Sequence, residues 1–181
     1  MNSKKLTIIV IIVLLSAFGI FALLLRPVQI SGVSMEPMYK NEDRYLAKRF
    51  AYMFSLPQRL DVVLYHHENT PEYKIIGRVV GLPSEKIIIK EGKVYLNGTV
   101  LSESYLLEQD KTFVENKAVV IEKGSSSKAL TLTSVMEEGR EMTIPSNSYF
   151  VMGDNREFSY DSRVLGFIEK DNIESKVEFK Y

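Results

Sequence analysis

The chain of 181 residues contains no cysteine. This absence excludes disulfide bonds, a thiol nucleophile and any metal centre that needs cysteine thiolates. Histidine is also scarce, because the two histidines, His66 and His67, are adjacent in the sequence. A site built from several histidines is therefore not expected, and we expect the protein to need no metal ion and no cofactor.

Neither sign of charge is in excess, since 23 basic residues balance 23 acidic ones. Proteins that bind nucleic acids rely on a surplus of Lys and Arg, so no nucleic-acid partner is expected. Hydrophobic residues make up 45% of the chain and charged residues 25%. This balance is typical of a folded domain and argues against a largely disordered chain.

One long uncharged run, residues 6–25, predicts a transmembrane helix. As a helix it would be about 30 Å long, which matches the hydrocarbon core of a bilayer. A cleaved secretory signal has an apolar region of only about 7–15 residues, so an uncleaved anchor is favoured. Lys4 and Lys5 favour a cytoplasmic tail at residues 1–5. The expected protein is a single-pass protein of the cell membrane, with an extracytoplasmic domain at residues 26–181.

That domain is expected to be mostly β, with five runs rich in β-branched and aromatic residues that predict strands. These runs cover residues 59–65, 73–80, 86–90, 93–96 and 149–152. Asn97-Gly98 predicts a hairpin turn, because both residue types tolerate positive φ. Residues 41–56 and 169–175 look weakly helical, and the polar residues 124–127 are expected to form an exposed loop.

The residue inventory limits the catalytic schemes that the chain could use. No histidine lies near a conspicuous serine, so a Ser-His-Asp triad has little support. The alternative is a serine activated by an amine, because a desolvated lysine can lose its proton and act as a base. Ser34 is the serine to consider, since it follows the predicted anchor by nine residues and would lie near the membrane surface.

Three segments occur in a fixed order and belong together. They are Ser31–Met38 (SGVSMEPM), Gly77–Pro83 (GRVVGLP) and Gly153–Ile168, which contains GDNR, SYDSR and GFI. On these segments the sequence resembles the bacterial type I signal peptidases, membrane-anchored Ser-Lys proteases that remove signal peptides from exported proteins. The resemblance covers nearly the whole chain. It implies a transmembrane helix followed by a domain of coiled antiparallel β-sheets.

The resemblance also implies roles for individual residues. Ser34 corresponds to the nucleophile that forms an acyl-enzyme, and its backbone N–H would stabilise the oxyanion. Ser159 corresponds to the serine that orients the general base. Supporting roles fall on the ion pair Asp161–Arg163 and on a turn beside the site, Gly153-Asp154-Asn155. Met35 and Met38 are expected to face substrate or membrane, together with Phe50, Tyr52, Met53 and Phe54 unless these four belong to the core.

The sequence departs from the family at the general base. The family's lysine immediately precedes the arginine that corresponds to Arg78, and here that position is Gly77, which has no side chain to accept a proton. Lys74 is the nearest substitute for the base, although odd spacing puts it on the opposite face of a regular strand from position 77 unless a bulge intervenes. His66 and His67 are a second possibility.

Two functions remain open at this point. The first is a membrane-bound serine endopeptidase that removes N-terminal signal peptides, with the signal peptide bound as an extended strand along an open sheet edge. The second is a catalytically inactive homologue that acts as a membrane-anchored binding protein, as Gly77 suggests. A self-cleaving Ser-Lys regulator is disfavoured by the anchor. The expected partners are signal peptides of exported preproteins and the lipid bilayer, and we expect a monomer.

Overall fold

The computed structural model describes residues 3–67, 70–107, 110–114, 117–123, 126–132 and 134–181. The N-terminal segment forms helix α1 (Ser3–Leu24), in which Leu and Ala are strong helix formers and the β-branched Ile and Val are weaker ones. The helix ends one residue earlier than the sequence predicts, because Leu25 pairs with Lys48 in the first strand. Within the described residues, no helix has both the length and the apolar character required to cross a membrane. The transmembrane helix predicted over residues 6–25 is therefore not supported by the structure.

The remainder is mostly β, as predicted, and its strands form three sheets. The strands are β1 (Leu25–Gln29), β2 (Arg44–Lys48), β3 (Val62–His67), β4 (Thr70–Gly81), β5 (Lys86–Lys90), β6 (Lys93–Leu96), β7 (Thr99–Val100), β8 (Lys117–Lys123), β9 (Ser126–Leu132), β10 (Met142–Thr143), β11 (Ser148–Met152), β12 (Ile168–Glu169) and β13 (Ile173–Lys180). A short helix α2 (Ser162–Leu165) lies between β11 and β12, and a 3-10 turn (Lys170–Asn172) precedes β13.

The main sheet positions the residues of interest. Its seven strands follow the order β1-β2-β13-β3-β4-β11-β12, and each neighbouring pair is antiparallel. The other described strands form a four-stranded sheet, β10-β5-β6-β7, and a hairpin of β8 with β9. The main sheet contributes to all three hydrophobic clusters of the core, and Val80, Phe150 and Met152 connect it to the four-stranded sheet.

Three regions differ in whole or in part from the sequence prediction. Residues 41–56 are not helical, because residues 44–48 form β2, in which Tyr45 and Ala47 point into the core. Residues 169–175 contain only one 3-10 turn, and β13 begins directly after it. The chain is a strand there because the backbone of β13 pairs with β2 and β3. Of the predicted loop 124–127, residues 124 and 125 lie outside the described residues, and Ser126 and Ser127 belong to β9.

Candidate active site

Ser34 lies in the turn that follows β1, where the segment 153–159 contacts its backbone. The backbone N–H of Asn155 donates to the carbonyl of Ser34 at 2.9 Å, and the Asn155 side-chain amide donates to the carbonyl of Val33 at 3.1 Å. The Ser159 hydroxyl lies 2.9 Å from the same Ser34 carbonyl and also contacts the carbonyl of Asn155. Two of the three segments that the sequence groups together therefore meet at Ser34.

Glycine is required at position 153 by close packing. A Cβ atom there would lie 2.5 Å from the Ser34 carbonyl oxygen and 2.6 Å from the Ser159 Cβ, well inside contact distance. The Gly153 N–H donates to the Asp161 carboxylate at 3.1 Å. The absence of a side chain at Gly153 thus allows Ser34 and Ser159 to approach each other.

The ion pair of Asp161 and Arg163 is buried at the start of α2. The Arg163 guanidinium donates to both carboxylate oxygens, from Nε at 2.8 Å and from Nη2 at 2.7 Å. Asp161 also caps α2 by accepting the Arg163 backbone N–H at 3.1 Å. Burial opposes ionisation of Asp161, but the charge and hydrogen bonds of Arg163, with the bond from Gly153, outweigh it and lower the pKa. The pair fixes the chain that carries Ser159.

A second buried ion pair, which the sequence analysis missed, joins Arg78 to Asp154. The Arg78 guanidinium donates to the Asp154 carboxylate from Nε at 2.8 Å and from Nη2 at 2.5 Å. The centre of the Tyr105 ring lies 4.3 Å from the guanidinium carbon, Cζ. Arg78 and Asp154 belong to two different sequence motifs. Their opposite charges were the signal from which the pair could have been predicted. The Arg78–Asp154 ion pair therefore connects β4 to the turn beside Ser34.

Gly77 is buried in β4 opposite Val63, and the space on its side-chain face is filled. A Cβ at this position would lie 2.7 Å from Val151 Cγ1 and 3.3 Å from Tyr65 Cε1. The Tyr65 hydroxyl is fully buried and makes no hydrogen bond within the described part of the chain. Val151 and Tyr65 thus occupy the volume into which a side chain at position 77 would extend.

Lys74 and Ser34 line the same cleft, which has a volume of about 280 Å³. The other lining residues come from β1 and the turn after it, and from β3 and β4: Arg26, Val28, Gln29, Ile30, Ser31, Leu64, Ile75 and Ile76. The Lys74 ammonium binds Glu174 Oε2 at 2.6 Å and is half exposed. The structure therefore brings Lys74 into the Ser34 cleft, but as an ion-paired ammonium.

Glu174 lies on β13 and was not singled out from the sequence. Burial raises its pKa, but Lys74 and Arg26 outweigh this effect, so the net pKa is lowered and the carboxylate stays charged. His66 lies beside the same carboxylate, with Nδ1 3.7 Å from Glu174 Oε1, whereas His67 is buried at the end of β3. The described lining of the cleft includes neither histidine.

The apolar residues expected to face substrate or membrane separate into two groups. Met35 is fully buried in the core, and the Tyr52 hydroxyl donates to Asp61 at 2.9 Å. Met38 is exposed, and so are three side chains of the loop after β2: Phe50, Met53 and Phe54. In the described residues, no group of three or more acidic or histidine side chains could hold a metal ion.

Comparisons with known proteins match this chain to one family. The family described as "Signal peptidase, peptidase S26" matches residues 3–181. Signal peptidase I V of Bacillus subtilis is 34% identical over 146 residues, 80% of this chain and 79% of that protein. Signal peptidase IB of Staphylococcus aureus is 31% identical over 175 residues, 97% of this chain and 86% of that protein. A crystal structure of a signal peptidase I from Enterococcus faecalis is 27% identical, with a TM-score of 0.46, and covers 67% of this chain and 97% of that one.

Proposed function

This chain belongs to the signal peptidase family, peptidase S26, and on that premise we propose that Ser34 is the nucleophile that cleaves signal peptides in the cleft between β1 and β4. Its relatives are signal peptidases, so the chain is a hydrolase of the serine protease class that removes signal peptides. The observation that carries the proposal is that Ser34 and Lys74 line one cleft, in a chain where Gly77 replaces the usual lysine.

The strand edges of the cleft support binding of an extended peptide. β1 is the first strand of the main sheet, and among the described strands it pairs only with β2. β4 pairs with β11 only from Arg78 onward, which leaves residues 73–77 without a partner strand on that side in the described chain. Free N–H and C=O groups on such edges can pair with a peptide in the β conformation. A signal peptide bound in this way would present its scissile carbonyl to Ser34.

The reaction that we propose has two steps. The Ser34 oxygen bonds to the scissile carbonyl carbon as its proton passes to a base, and the Ser34 N–H stabilises the oxyanion. The C–N bond then breaks, and the base returns the proton to the leaving amine, the new N-terminus of the mature protein. Water hydrolyses the remaining ester, which releases the signal peptide and regenerates the Ser34 hydroxyl.

Lys74 is the proposed base, and Glu174 determines when it can act. An ammonium held by a carboxylate is a poor base, because ion pairing favours the charged form. Arg26 donates to the same oxygen, Glu174 Oε2, at 3.0 Å, so the carboxylate keeps a cationic partner when Lys74 leaves. We propose that a bound peptide separates Lys74 from Glu174, after which the amine loses its proton and turns toward Ser34. Ser159 would orient it there.

A specific observation favours a second function, binding without cleavage. The position of the usual base is filled by Val151 and Tyr65, and Lys74 is ion-paired. A chain with a cleft, a serine and no competent base would hold a signal peptide and release it intact. Losing a triad-type base costs several orders of magnitude in rate, so the two functions differ measurably.

The test is cleavage of a preprotein by the purified full chain in detergent. Active wild-type protein that loses activity in Ser34→Ala establishes the protease. Lys74→Ala and Lys74→Arg should then both abolish cleavage, because neither side chain can accept a proton near neutral pH. Loss in Lys74→Ala with retention in Lys74→Arg would contradict the base assignment. Wild type that binds the preprotein without cutting it would favour the second function.

Membrane attachment completes the proposal. The side chains from Ile8 to Leu15 are exposed and apolar, and Phe54 is 93% exposed. The Arg49 N–H donates to the Leu24 carbonyl at 2.9 Å, which joins the loop that carries Phe54 to the end of α1. We propose that α1 and this loop contact lipid and attach the chain to the membrane surface. Flotation of the full chain with vesicles tests the attachment.

A further inference from the structure

Three side chains from three strands of the main sheet meet at the cleft, and two of them line it. Glu174 of β13 accepts a hydrogen bond at Oε2 from Arg26 of β1 at 3.0 Å and from Lys74 of β4 at 2.6 Å. We call these three residues the basic cluster. β1 and β4 are not neighbours in the sheet, so the cluster connects two of the strands that line the cleft.

The basic cluster has more cationic than anionic groups. Two cations share one carboxylate, and the lowered pKa of Glu174 keeps that carboxylate charged. The Arg26–Glu174 contact uses Nη1 alone, although a guanidinium also carries donors at Nε and Nη2. The Lys74 ammonium is 50% exposed and adds to the positive charge that a peptide meets on entering the cleft, before Lys74 leaves Glu174 to act as the proposed base. The acidic side chain itself would bind the Nε and Nη2 donors of Arg26.

We propose that the basic cluster is a subsite for an acidic side chain of the signal peptide. This inference rests on the proposed function, because it requires the peptide to lie in the cleft, and it adds a charge preference to that function. Arg26 lies about 13 Å along β1 from Ile30, at the rise of an extended strand, and Ile30 lies beside the Ser34 turn. Arg26 also follows α1 directly. The acidic residue would therefore lie several residues before the scissile bond, on the side of that bond where the apolar segment of the signal peptide lies.

Peptide binding tests the proposal without requiring catalysis. The full chain carrying Ser34→Ala, in a neutral detergent without phosphate, would be titrated with fluorescent signal peptides that carry Asp, Asn or Lys at successive positions before the scissile bond. At one position we expect Asp to bind about two- to fivefold more tightly than Asn, and Lys more weakly than Asn. The preference should disappear at about 1 M salt, because these groups are partly exposed.

Two variants should shift this preference in opposite directions. Arg26→Gln removes a cation and should abolish the Asp preference, whereas Glu174→Gln removes the only anion of the cluster and should increase it. Lys48→Gln is the matched control, because Lys48 pairs with Glu178 and does not line the cleft. Circular dichroism would establish that each variant is folded.

The outcomes separate this inference from the proposed function. Equal binding of the Asp, Asn and Lys peptides at every position overturns the subsite, and so does an Asp preference that survives Arg26→Gln. If wild-type protein still cleaves preproteins in either case, the proposed function stands without the subsite. If no peptide binds and no preprotein is cleaved, both are overturned.

Discussion

The Ser159 hydroxyl and the Ser34 backbone carbonyl lie within hydrogen-bonding distance, with 2.9 Å between the two oxygens. This hydrogen bond connects the backbone of the predicted nucleophile, Ser34, to the segment that contains the ion pair Asp161–Arg163. A position adjacent in the fold, Gly153, determines whether this bond can form, because any side chain there would enter the same space. The position of Ser34 thus depends on a residue more than a hundred positions away in the sequence.

Gly153→Ala tests this dependence. The added methyl would overlap Ser159 and the Ser34 carbonyl, so we expect a loss of about 1–3 kcal/mol in the free energy of unfolding and little remaining cleavage. Gly19→Ala in α1 is the control, because nothing lies near its Cβ position, and it should not destabilise the protein. Urea denaturation and preprotein cleavage measure the two effects. A Gly153→Ala protein with wild-type stability and activity would contradict the packing argument.

Restoring a lysine at position 77 requires a second change. In Gly77→Lys the new Cβ would lie 2.7 Å from Val151 Cγ1, so the single variant should lose about 1–3 kcal/mol of stability. Gly77→Lys combined with Val151→Ala should recover part of this loss and cleave preproteins faster than the single variant. Val151→Ala alone is the control for the cavity that it creates. Equal stability of Gly77→Lys and wild type would show that the site is more open than we describe.

The buried hydroxyl of Tyr65 predicts an unusual response to its removal. An unsatisfied buried polar group costs about 1–3 kcal/mol, so Tyr65→Phe should leave stability unchanged or raise it. Tyr52→Phe is the matched control, because it removes a hydroxyl that donates to Asp61, and it should lower stability by about 1–3 kcal/mol. Thermal unfolding compares the two. A loss in Tyr65→Phe as large as that in Tyr52→Phe would indicate that the hydroxyl has a partner.

Acid should destabilise the protein partly through Asp161. Its pKa is lowered in the folded state, so the carboxylate stabilises the fold above its ordinary pKa of about 4. This contribution is lost as the pH falls through the lower folded value. Asp161→Asn should cost about 3–5 kcal/mol at neutral pH, because it leaves Arg163 buried without its carboxylate, and should weaken the pH dependence.

Urea denaturation between neutral and acidic pH measures the effect of Asp161→Asn. Glu137→Gln serves as the control, because Glu137 pairs with Arg140 at the surface, where such pairs contribute little. A pH dependence of unfolding that is identical in Asp161→Asn and wild type would contradict the role given to Asp161.

Local sequence patterns predicted the strands and the turn that depend on residues close to one another in the sequence. The strands at residues 86–90 and 93–96 agree with the sequence prediction, and the Asn97-Gly98 turn between β6 and β7 has the positive φ values that it implied. β2 and β13 were missed, because the short β2 and the charge-rich β13 depend on partners distant in sequence. β13, for example, pairs Lys176 with both Lys48 and Val63.

The candidate site was predictable only where sequence motifs mark its residues. Motifs selected Ser34 and the turn at residues 153–155, and the structure brings them into contact. Motifs could not reveal that Tyr65 and Val151 fill the space at Gly77, because this depends on the pairing of β4 with both β3 and β11. Glu174, the partner of Lys74, lies in a segment whose strand was not predicted, so the effect of this ion pair on the proposed base was not foreseen.

The open edge of β1 has a consequence for self-association. A strand that must accept a substrate peptide could equally pair with the same strand of another copy, which is how sheet proteins begin to aggregate. Pro27 removes one backbone donor from β1, and Arg26 and Lys74 place like charges on the two walls of the cleft. Proline and charge are common protections of exposed strand edges. The residues that we propose to select a substrate would therefore also keep empty enzyme molecules from pairing edge to edge at high local concentration.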